Sequence, residues 1–248
     1  MIDTHAHLDG CAEAPEVLLA RARAAGVDRV VAIGSGIESC RAALAVAERE
    51  PGVFAALGVH PHQAGGEQAE RLDELRALLG HERAVAVGET GLDFYRDYAP
   101  RDRQLELFRG QLQVAGEASK AVVIHSRSAE RETLDELERF AGVVVLHCFS
   151  SPGLLEGALA RRYYVSFAGN VTYPRADDLL AAAVRVSRDR LLVETDSPYL
   201  APQPRRGRPN EPANVAYTLR ALAAARSEPL DRLERQIDEN AGRAFSLP

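Results

Sequence analysis

Short apolar runs alternate along this chain with longer segments in which apolar and charged residues are interspersed. Several of the short runs are continuously apolar, which is typical of parallel strands buried on both faces. Between them, segments such as PEVLLARARAAG and RADDLLAAAVRVS place apolar residues three and four positions apart, which predicts amphipathic helices. The eight predicted strands are residues 1–3, VVAIG ending at Gly34, FAALGVH ending at His60, AVAVGE ending at Glu89, AVVIH ending at His125, VVVLHCF from Val143, YYVSFAG from Tyr163 and LLVET from Leu191.

The regular alternation of strand and helix predicts an α/β fold. Eight strand–helix units in a chain of 248 residues fit a closed TIM (β/α)8 barrel that forms a single domain over residues 1–248. An open, doubly wound sheet is the alternative. The stretch IGSGIES has Gly34 and Gly36 after a strand, but Ser39 stands where a dinucleotide-binding fingerprint has its third glycine, so we interpret it as a tight turn.

The composition argues against several classes of protein. A formal net charge of −6 disfavours a broad basic surface for nucleic acid. Three cysteines without a C-x-x-C motif indicate neither a disulfide framework nor a cysteine zinc site. No apolar run approaches the roughly 18 residues of a membrane span, so we expect a cytoplasmic protein without membrane contact. We expect a monomer, because no predicted helix has a second apolar face.

Most histidines of the chain fall at predicted strand ends. His5 and His7 lie two residues apart, so in a strand their side chains project to the same face, as in a chelating pair. The carboxyl ends of barrel strands meet on one face of the molecule, where barrel enzymes have their active sites. The residues expected to converge there are His5, His7, His60, His62, His125 and His147, together with Glu89 and Asp196. Any one of them alone is common at a strand end, but together they predict a metal centre.

The side-chain types indicate which metals this centre would hold. Imidazole and carboxylate ligands without thiolate suit Zn, Mn or Mg. Four histidines and two carboxylates are more ligands than one catalytic ion needs, which favours two divalent metal ions. We expect Asp196 also to accept the proton of an attacking water. The expected partition places one ion on His5, His7 and Asp196, the other on His125 and His147, and Glu89 as the bridge.

Cationic and aromatic residues are expected around the predicted centre. Arg127 follows His125 by two residues, and its planar guanidinium suits a phosphate, the alternative being an ion pair with a helix carboxylate. Three arginines after the eighth strand form either a path for a nucleic acid backbone or a solvated charged surface: Arg205, Arg206 and Arg208. Three tyrosines on the same rim either stack on bases or pack in the fold: Tyr95, Tyr173 and Tyr199.

Further polar residues are predicted to support the centre. Asp3 and Glu194 are expected to point into the barrel one layer below the metals, where they orient a ligating histidine. Asp93 and Arg96 either pair with each other or contact substrate. Asn210 is expected to cap a helix.

Motifs spread over the chain carry a resemblance to a known family. From residue 3 to residue 245 the chain reads, in order, DTHAHLD, GVHPH, GETGLDFYRD, VVIHSRSA, LHCFS, LLVETDSPYLAP, PNEPANV and NAGRAF. In this set and order the motifs resemble the TatD family of metal-dependent deoxyribonucleases. Two positions depart from the family pattern: Ala121 stands where proline is usual, and Ser151 where glycine is more common.

The resemblance implies a TIM-barrel hydrolase with a divalent metal site at the positions above. It implies a 3′–5′ exodeoxyribonuclease acting on DNA, typically at the 3′ ends of single strands. It also implies that His60 contacts substrate or takes part in catalysis, and that Arg127 lies near the scissile phosphate. The catalytic residues are therefore expected to be Glu89, Asp196, His60 and Arg127.

Two other functions are compatible with the same residues. A barrel with this ligand set could hydrolyse a carbonyl substrate, either a small-molecule amide or lactone or the ester of an aminoacyl-tRNA, because fold and metals do not fix the leaving group. A non-catalytic binding protein could use the metals for stability alone.

Overall fold

The computed structural model describes residues 1–96 and 98–248 and contains a parallel, eight-stranded sheet whose strands follow one another in chain order. The sheet nearly closes into a barrel, because Ala6 pairs with Ser197 and the Asp196 amide donates to the His5 carbonyl at 2.9 Å. The predicted TIM barrel is therefore confirmed, and the doubly wound alternative is wrong. The strands are β1 (Ile2–Ala6), β2 (Arg29–Gly34), β3 (Val53–Leu57), β4 (Ala84–Asp93), β5 (Ala121–Arg127), β6 (Val144–Leu146), β7 (Tyr164–Phe167) and β8 (Leu191–Val193).

Helices lie between the strands and after the last one, and those at Pro15–Ala24 and Asp177–Arg185 coincide with the predicted amphipathic segments PEVLLARARAAG and RADDLLAAAVRVS. Pro15 and Pro152 occupy first helical positions, where the missing amide proton does no harm, and Gly80 follows the end of a helix. Among the described residues, no helix is both long enough and apolar enough to cross a membrane. The helices are α1 (Pro15–Ala24), α2 (Ile37–Arg49), α3 (Leu72–Leu79), α4 (Arg101–Ala118), α5 (Glu130–Leu137), α6 (Pro152–Arg161), α7 (Asp177–Arg185), α8 (Val215–Ala225) and α9 (Leu230–Phe245).

Strand β4 is longer than predicted. It continues past Glu89 to Asp93, and its pairing with β5 shifts register between Val87 and Thr90. Gly91 permits the continuation: its φ is +134°, and a Cβ there would stand 2.0 Å from the His125 carbonyl oxygen. Glu89 therefore lies within the strand at an irregularity, and Asp93 takes the strand end that was assigned to Glu89.

The last helix closes the barrel from outside. Asn240 of α9 is fully buried, and its amide donates to the carbonyls of Arg188 and Leu191 at 2.8 Å each. Ile237 and Phe245 of the same helix are buried in the main hydrophobic core. Helix α9 thus holds the start of β8 in place by both apolar packing and hydrogen bonds.

The junction of β2 and α2 provides a stability test. A Cβ on Gly34 would lie 2.5 Å from the Cys40 Cα, so Gly34→Ala is expected to lower the free energy of unfolding by about 1–3 kcal/mol through overpacking. The matched control is Gly116→Ala in α4, where a Cβ meets nothing within 4 Å, and we expect a gain of about 0.5–1 kcal/mol there. Urea denaturation measures both. Equal stability of the two variants would contradict the close approach of α2 to β2.

Candidate metal centre

A cluster of histidines and carboxylates lies at the carboxyl end of the barrel, below a cavity of about 720 Å³. Its members come from β1, β4 and β5 and from the segments that follow β1, β3, β6 and β8. The structure thus brings together every residue that the sequence assigned to the metals, and it adds Asp93. The cluster consists of His5, His7, His60, Glu89, Asp93, His125, His147 and Asp196.

The first group of candidate ligand atoms comes from the first and last strands of the barrel and the residues that follow them. The Nε2 atoms of His5 and His7 face each other at 3.2 Å, as expected for side chains two residues apart in and just after a strand. Asp196 follows β8, and its Oδ1 lies 3.6 Å from His7 Nε2 and 3.8 Å from His5 Nε2. Asp196 adopts a left-handed backbone with φ +55°, which turns the chain sharply at this point.

The second group comes from β5 and the end of β6. The Nδ1 of His125 and the Nε2 of His147 each lie 2.8 Å from Oε1 of Glu89. These two nitrogens are 3.5 Å apart. His5 and His147 also stack, with ring centroids 3.9 Å apart, so the two groups are in contact.

Glu89 stands between the two groups. Its Oε2 faces the first group, at 3.3 Å from His7 and 3.6 Å from His5, while its Oε1 faces the second. Burial opposes ionisation of this carboxyl, but the charge of His147 and hydrogen bonds from His125 and His147 outweigh it and hold the pKa of Glu89 well below its usual range. The carboxylate is therefore charged and available to two partners at once.

The donor set fits divalent cations. Pairs of imidazole nitrogens that point at each other cannot both donate a proton, so they are better satisfied by a shared cation. Burial lowers the pKa of His7, but hydrogen bonds and attraction from Asp196 and Glu89 raise it to about 10. In the same way Glu89 and Glu194 raise the pKa of His147 well above its ordinary value. The carboxylates thus draw protons to positions where a metal ion would supply the positive charge.

Two further carboxylates support the histidines of the second group. The Nδ1 of His147 lies 3.2 Å from Glu194, which leaves Nε2 to face the cluster. The Nε2 of His125 lies 3.2 Å from Asp93, which leaves Nδ1 to face it. A carboxylate behind a histidine fixes the tautomer and orientation that metal binding requires.

Asp93 and Asp3 differ from their sequence-based interpretation. The Asp93 carboxylate accepts a hydrogen bond from the Arg96 backbone amide at 2.9 Å. It also accepts one from His62 and faces His125. Asp3 accepts from the Thr195 amide and hydroxyl at 2.8 and 2.5 Å, so it fastens β1 to the end of β8 and orients no ligating histidine side chain. Burial raises the pKa of Asp3 to about 8.

His60 lies within 3.4 Å of Glu89 Oε1 but has a different hydrogen-bond pattern. Burial lowers the pKa of His60 to about 4, so its ring is neutral near pH 7. Its Nδ1 accepts from the His62 amide at 3.1 Å, and the proton of the neutral ring is therefore on Nε2. That atom is a donor, which favours contact with a substrate oxygen over metal ligation.

Of the arginines predicted to surround the centre, Arg127 lines the cavity, whereas Arg205 and Arg206 lie outside its lining. Arg127 is exposed on the cavity wall with its guanidinium 4.1 Å from the Tyr95 ring centroid, and its sequence-based alternative, an ion pair with a helix carboxylate, is absent from the described part of the chain. Arg205 and Arg206 lie over the rings of Tyr217 and Tyr173.

Asn210 does not cap a helix. Its buried amide donates to the carbonyls of Thr195 and Tyr199 at 2.9 and 2.7 Å, while α8 begins at Val215. Asn210 therefore secures the loop after β8. The proline-rich composition of this loop gave no indication of that role, because the two acceptors are fixed only by the folded path of the loop.

Metal addition tests the assignment of the cluster. Zn²⁺, Mn²⁺ or Mg²⁺ added to chelator-treated protein is expected to raise the Tm, because a ligand at a hundredfold excess over its Kd stabilises the fold by about 2.7 kcal/mol. We expect His147→Asn to lose most of that rise. His81→Asn is the matched control, since His81 pairs with Glu48 and is 34% exposed. A similar rise in both variants would contradict the placement of His147 at the metals.

Comparison with known proteins agrees with this geometry. A family profile described as TatD related DNase matches residues 2–246. The chain is 38% identical to an uncharacterized metal-dependent hydrolase TatD of Mycobacterium tuberculosis, covering 100% of this chain and 98% of the relative. It is 37% identical to a 3′-5′ ssDNA/RNA exonuclease TatD of Cronobacter sakazakii, covering 92% and 90%.

Among solved structures, the TatD homologue YJJV of Escherichia coli K12 superposes with a TM-score of 0.93 at 31% identity, over 100% of this chain and 98% of that one. The whole-chain match, the shared fold and the clustered ligands all point to one family. The chain belongs to the TatD-related DNase family and is a metal-dependent hydrolase.

Proposed function

We propose that this protein is a 3′–5′ exonuclease that hydrolyses phosphodiester bonds of single-stranded DNA with two divalent metal ions. The observation that carries the proposal is the position of Glu89, with one carboxylate oxygen toward each of two histidine groups at the base of an open cavity. The exposed Arg127 on the cavity wall suits a phosphodiester, since a guanidinium can donate to two phosphate oxygens at once. The 37% identical relative of Cronobacter sakazakii, a 3′-5′ ssDNA/RNA exonuclease, supports the same substrate class.

The metal partition follows the two groups. His5, His7 and Asp196 would hold one ion, His125 and His147 the other, and Glu89 would bridge them; Zn, Mn and Mg all suit these donors. Two ions bound there would supply an activated water and positive charge for the attacking and leaving oxygens.

The residues of the chain then have distinct tasks. Asp196 would hold an ion with one carboxylate oxygen, and its second oxygen would accept the proton of the attacking water. Arg127 donates to the non-bridging oxygens of the scissile phosphate, where negative charge develops. The Nε2–H of His60 donates to a phosphate oxygen, which its neutral state permits near pH 7.

The sequence was also compatible with two other functions. The interpretation as a non-catalytic binding protein is wrong, because the chain belongs to a hydrolase family. Hydrolysis of a carbonyl substrate uses the same barrel and ligands, and a substrate test separates it from DNA hydrolysis. A single domain over residues 1–248, a monomeric state and a cytoplasmic location stay predictions.

Digestion of end-labelled single-stranded DNA tests the activity. Chelator-treated protein is expected to be inactive and to regain a ladder that shortens from the 3′ end when Mg²⁺, Mn²⁺ or Zn²⁺ is restored. Glu89→Ala and His125→Ala are expected to abolish the ladder, while Asp196→Asn lowers kcat by about 10²–10⁴-fold, the usual contribution of a general base. His81→Ala serves as the control on the protein surface.

The same assay decides between substrates. If metal-loaded protein leaves DNA intact and cleaves amides, lactones or aminoacyl-tRNA, the carbonyl alternative replaces the nuclease proposal. If Asp196→Asn turns over at the wild-type rate, the proposed role of that carboxylate is wrong.

Arg127 is tested by a charge-conserving change. Arg127→Ala is expected to lower kcat/KM on single-stranded DNA by about 10²–10³-fold, in line with removal of one donor to a developing charge. Arg127→Lys keeps the charge and loses the two-pronged geometry, so we expect recovery of only part of the loss. Arg131→Ala is the control, because Arg131 lies on α5 with its side chain 89% exposed. Full activity of Arg127→Ala would remove Arg127 from the site.

A further inference from the structure

Exposed tyrosines are concentrated at the mouth of the cavity. Tyr95, Tyr98 and Tyr199 are 62%, 64% and 60% exposed, and no other tyrosine or phenylalanine among the described residues is as exposed as these. Tyr98 follows β4 and Tyr199 follows β8, and both line the cavity. Large aromatic side chains gain free energy when they leave water, so their exposure around a binding cavity indicates surfaces that a ligand covers.

Tyr98 and Tyr199 are each positioned by a histidine. The ring of Tyr98 meets that of His62 at a centroid distance of 4.7 Å and an angle of 85°. The ring of Tyr199 meets that of His7 at 5.9 Å and 72°. Such perpendicular contacts fix ring orientation and occupy only part of each ring. Most of each tyrosine therefore stays open to the cavity mouth.

Buried amide side chains hold Asp93 and Ala99, before and after Tyr98 in the chain, and Tyr199 itself. Gln104 of α4 donates to the carbonyls of Asp93 and Ala99, on either side of Tyr98 in the chain. Asn210 donates directly to the Tyr199 carbonyl at 2.7 Å. Anchored carbonyls next to Tyr98 and at Tyr199 lower the conformational entropy that the backbone loses there when a ligand binds.

Tyr95 has a different position from the other two. The Arg127 guanidinium lies over its ring at 4.1 Å, and the guanidinium of Arg96 lies 5.9 Å from the same centroid. Tyr95 thus supports Arg127, and its ring is less available to a ligand than those of Tyr98 and Tyr199.

We propose that Tyr98 and Tyr199 are stacking sites for unpaired bases next to the scissile phosphate, and that through them the protein selects single strands. The inference rests on the proposed nuclease function. Bases of a single strand offer free π-faces to aromatic side chains, whereas paired bases are already stacked on their neighbours. Stacking also supplies affinity that a chain of net charge −6 does not obtain from broad phosphate attraction.

The stacking is tested by removing the tyrosine ring from the protein, the base from the substrate, or both, and comparing the losses in kcat/KM. The metal-loaded protein is assayed on a single-stranded oligonucleotide and on the same oligonucleotide with abasic residues at its two 3′-terminal positions. Tyr98→Ala and Tyr199→Ala are expected to lower kcat/KM on the normal strand by about 5- to 150-fold, the range of base–aromatic stacking. On the abasic strand the same changes are expected to have less than about a twofold effect.

Conservative variants and a remote tyrosine complete the design. Tyr98→Phe and Tyr199→Phe keep the ring and are expected to retain the wild-type preference for the normal strand. Tyr217→Ala is the matched control, since Tyr217 lies on α8 and outside the lining of the cavity.

Three outcomes overturn the inference. Equal losses on both strands would assign the tyrosines a structural role, and normal activity of both alanine variants would assign them none; in either case wild-type cleavage of the normal strand leaves the nuclease function standing. Absence of cleavage of either strand by the wild-type protein would overturn both the nuclease function and the stacking sites.

Discussion

The buried carboxylate of Glu89 and the histidines around it set the conditions for the rest of the site. A carboxylate removed from water is strongly destabilising unless it has charged or hydrogen-bonding partners. Here the partners are five histidines, which come from β1, β5 and the segments that follow β1, β3 and β6. Five histidines can surround one carboxylate in this way because the parallel barrel directs all its strand ends to a single face. The fold and the charge of Glu89 are thus mutually dependent.

A second layer of polar side chains lies behind the histidines of the cluster and fixes their orientation. Glu194 stands behind His147, Asp93 stands behind His125, and Asp3 ties the strand that carries His5 to the segment that carries Asp196. All three side chains are buried: Glu194 and Asp93 contact histidines of the cluster, and Asp3 holds Thr195, the residue before Asp196. Such a layered network restricts the rotamers and tautomers of the histidines, which lowers the cost of orienting them toward a metal ion.

The sequence predicted the barrel and the convergence of the ligands because both depend on local pattern. Alternating strand and helix periods locate the strands, and strand ends locate His5, His7, His125 and His147. Asp93 was harder to place, because the extension of β4 depends on pairing with β5 and on Gly91, a residue that in isolation indicates a turn. The tautomer of His60 and the anchoring role of Asn210 depend on contacts with backbone atoms elsewhere in the fold, which carry no trace in residue spacing.

The closure of the barrel between its first and last strands has a consequence for biosynthesis. His5 and His7 are synthesised about 190 residues before Asp196, yet the three side chains form one group of the candidate centre, and the Asp196 amide donates to the His5 carbonyl. Contacts between residues so distant in sequence form slowly, since a long loop must first be ordered. A nascent chain that has not yet reached Asp196 therefore carries an incomplete cluster, and the candidate metal centre is assembled only when the first and last strands of the barrel have met.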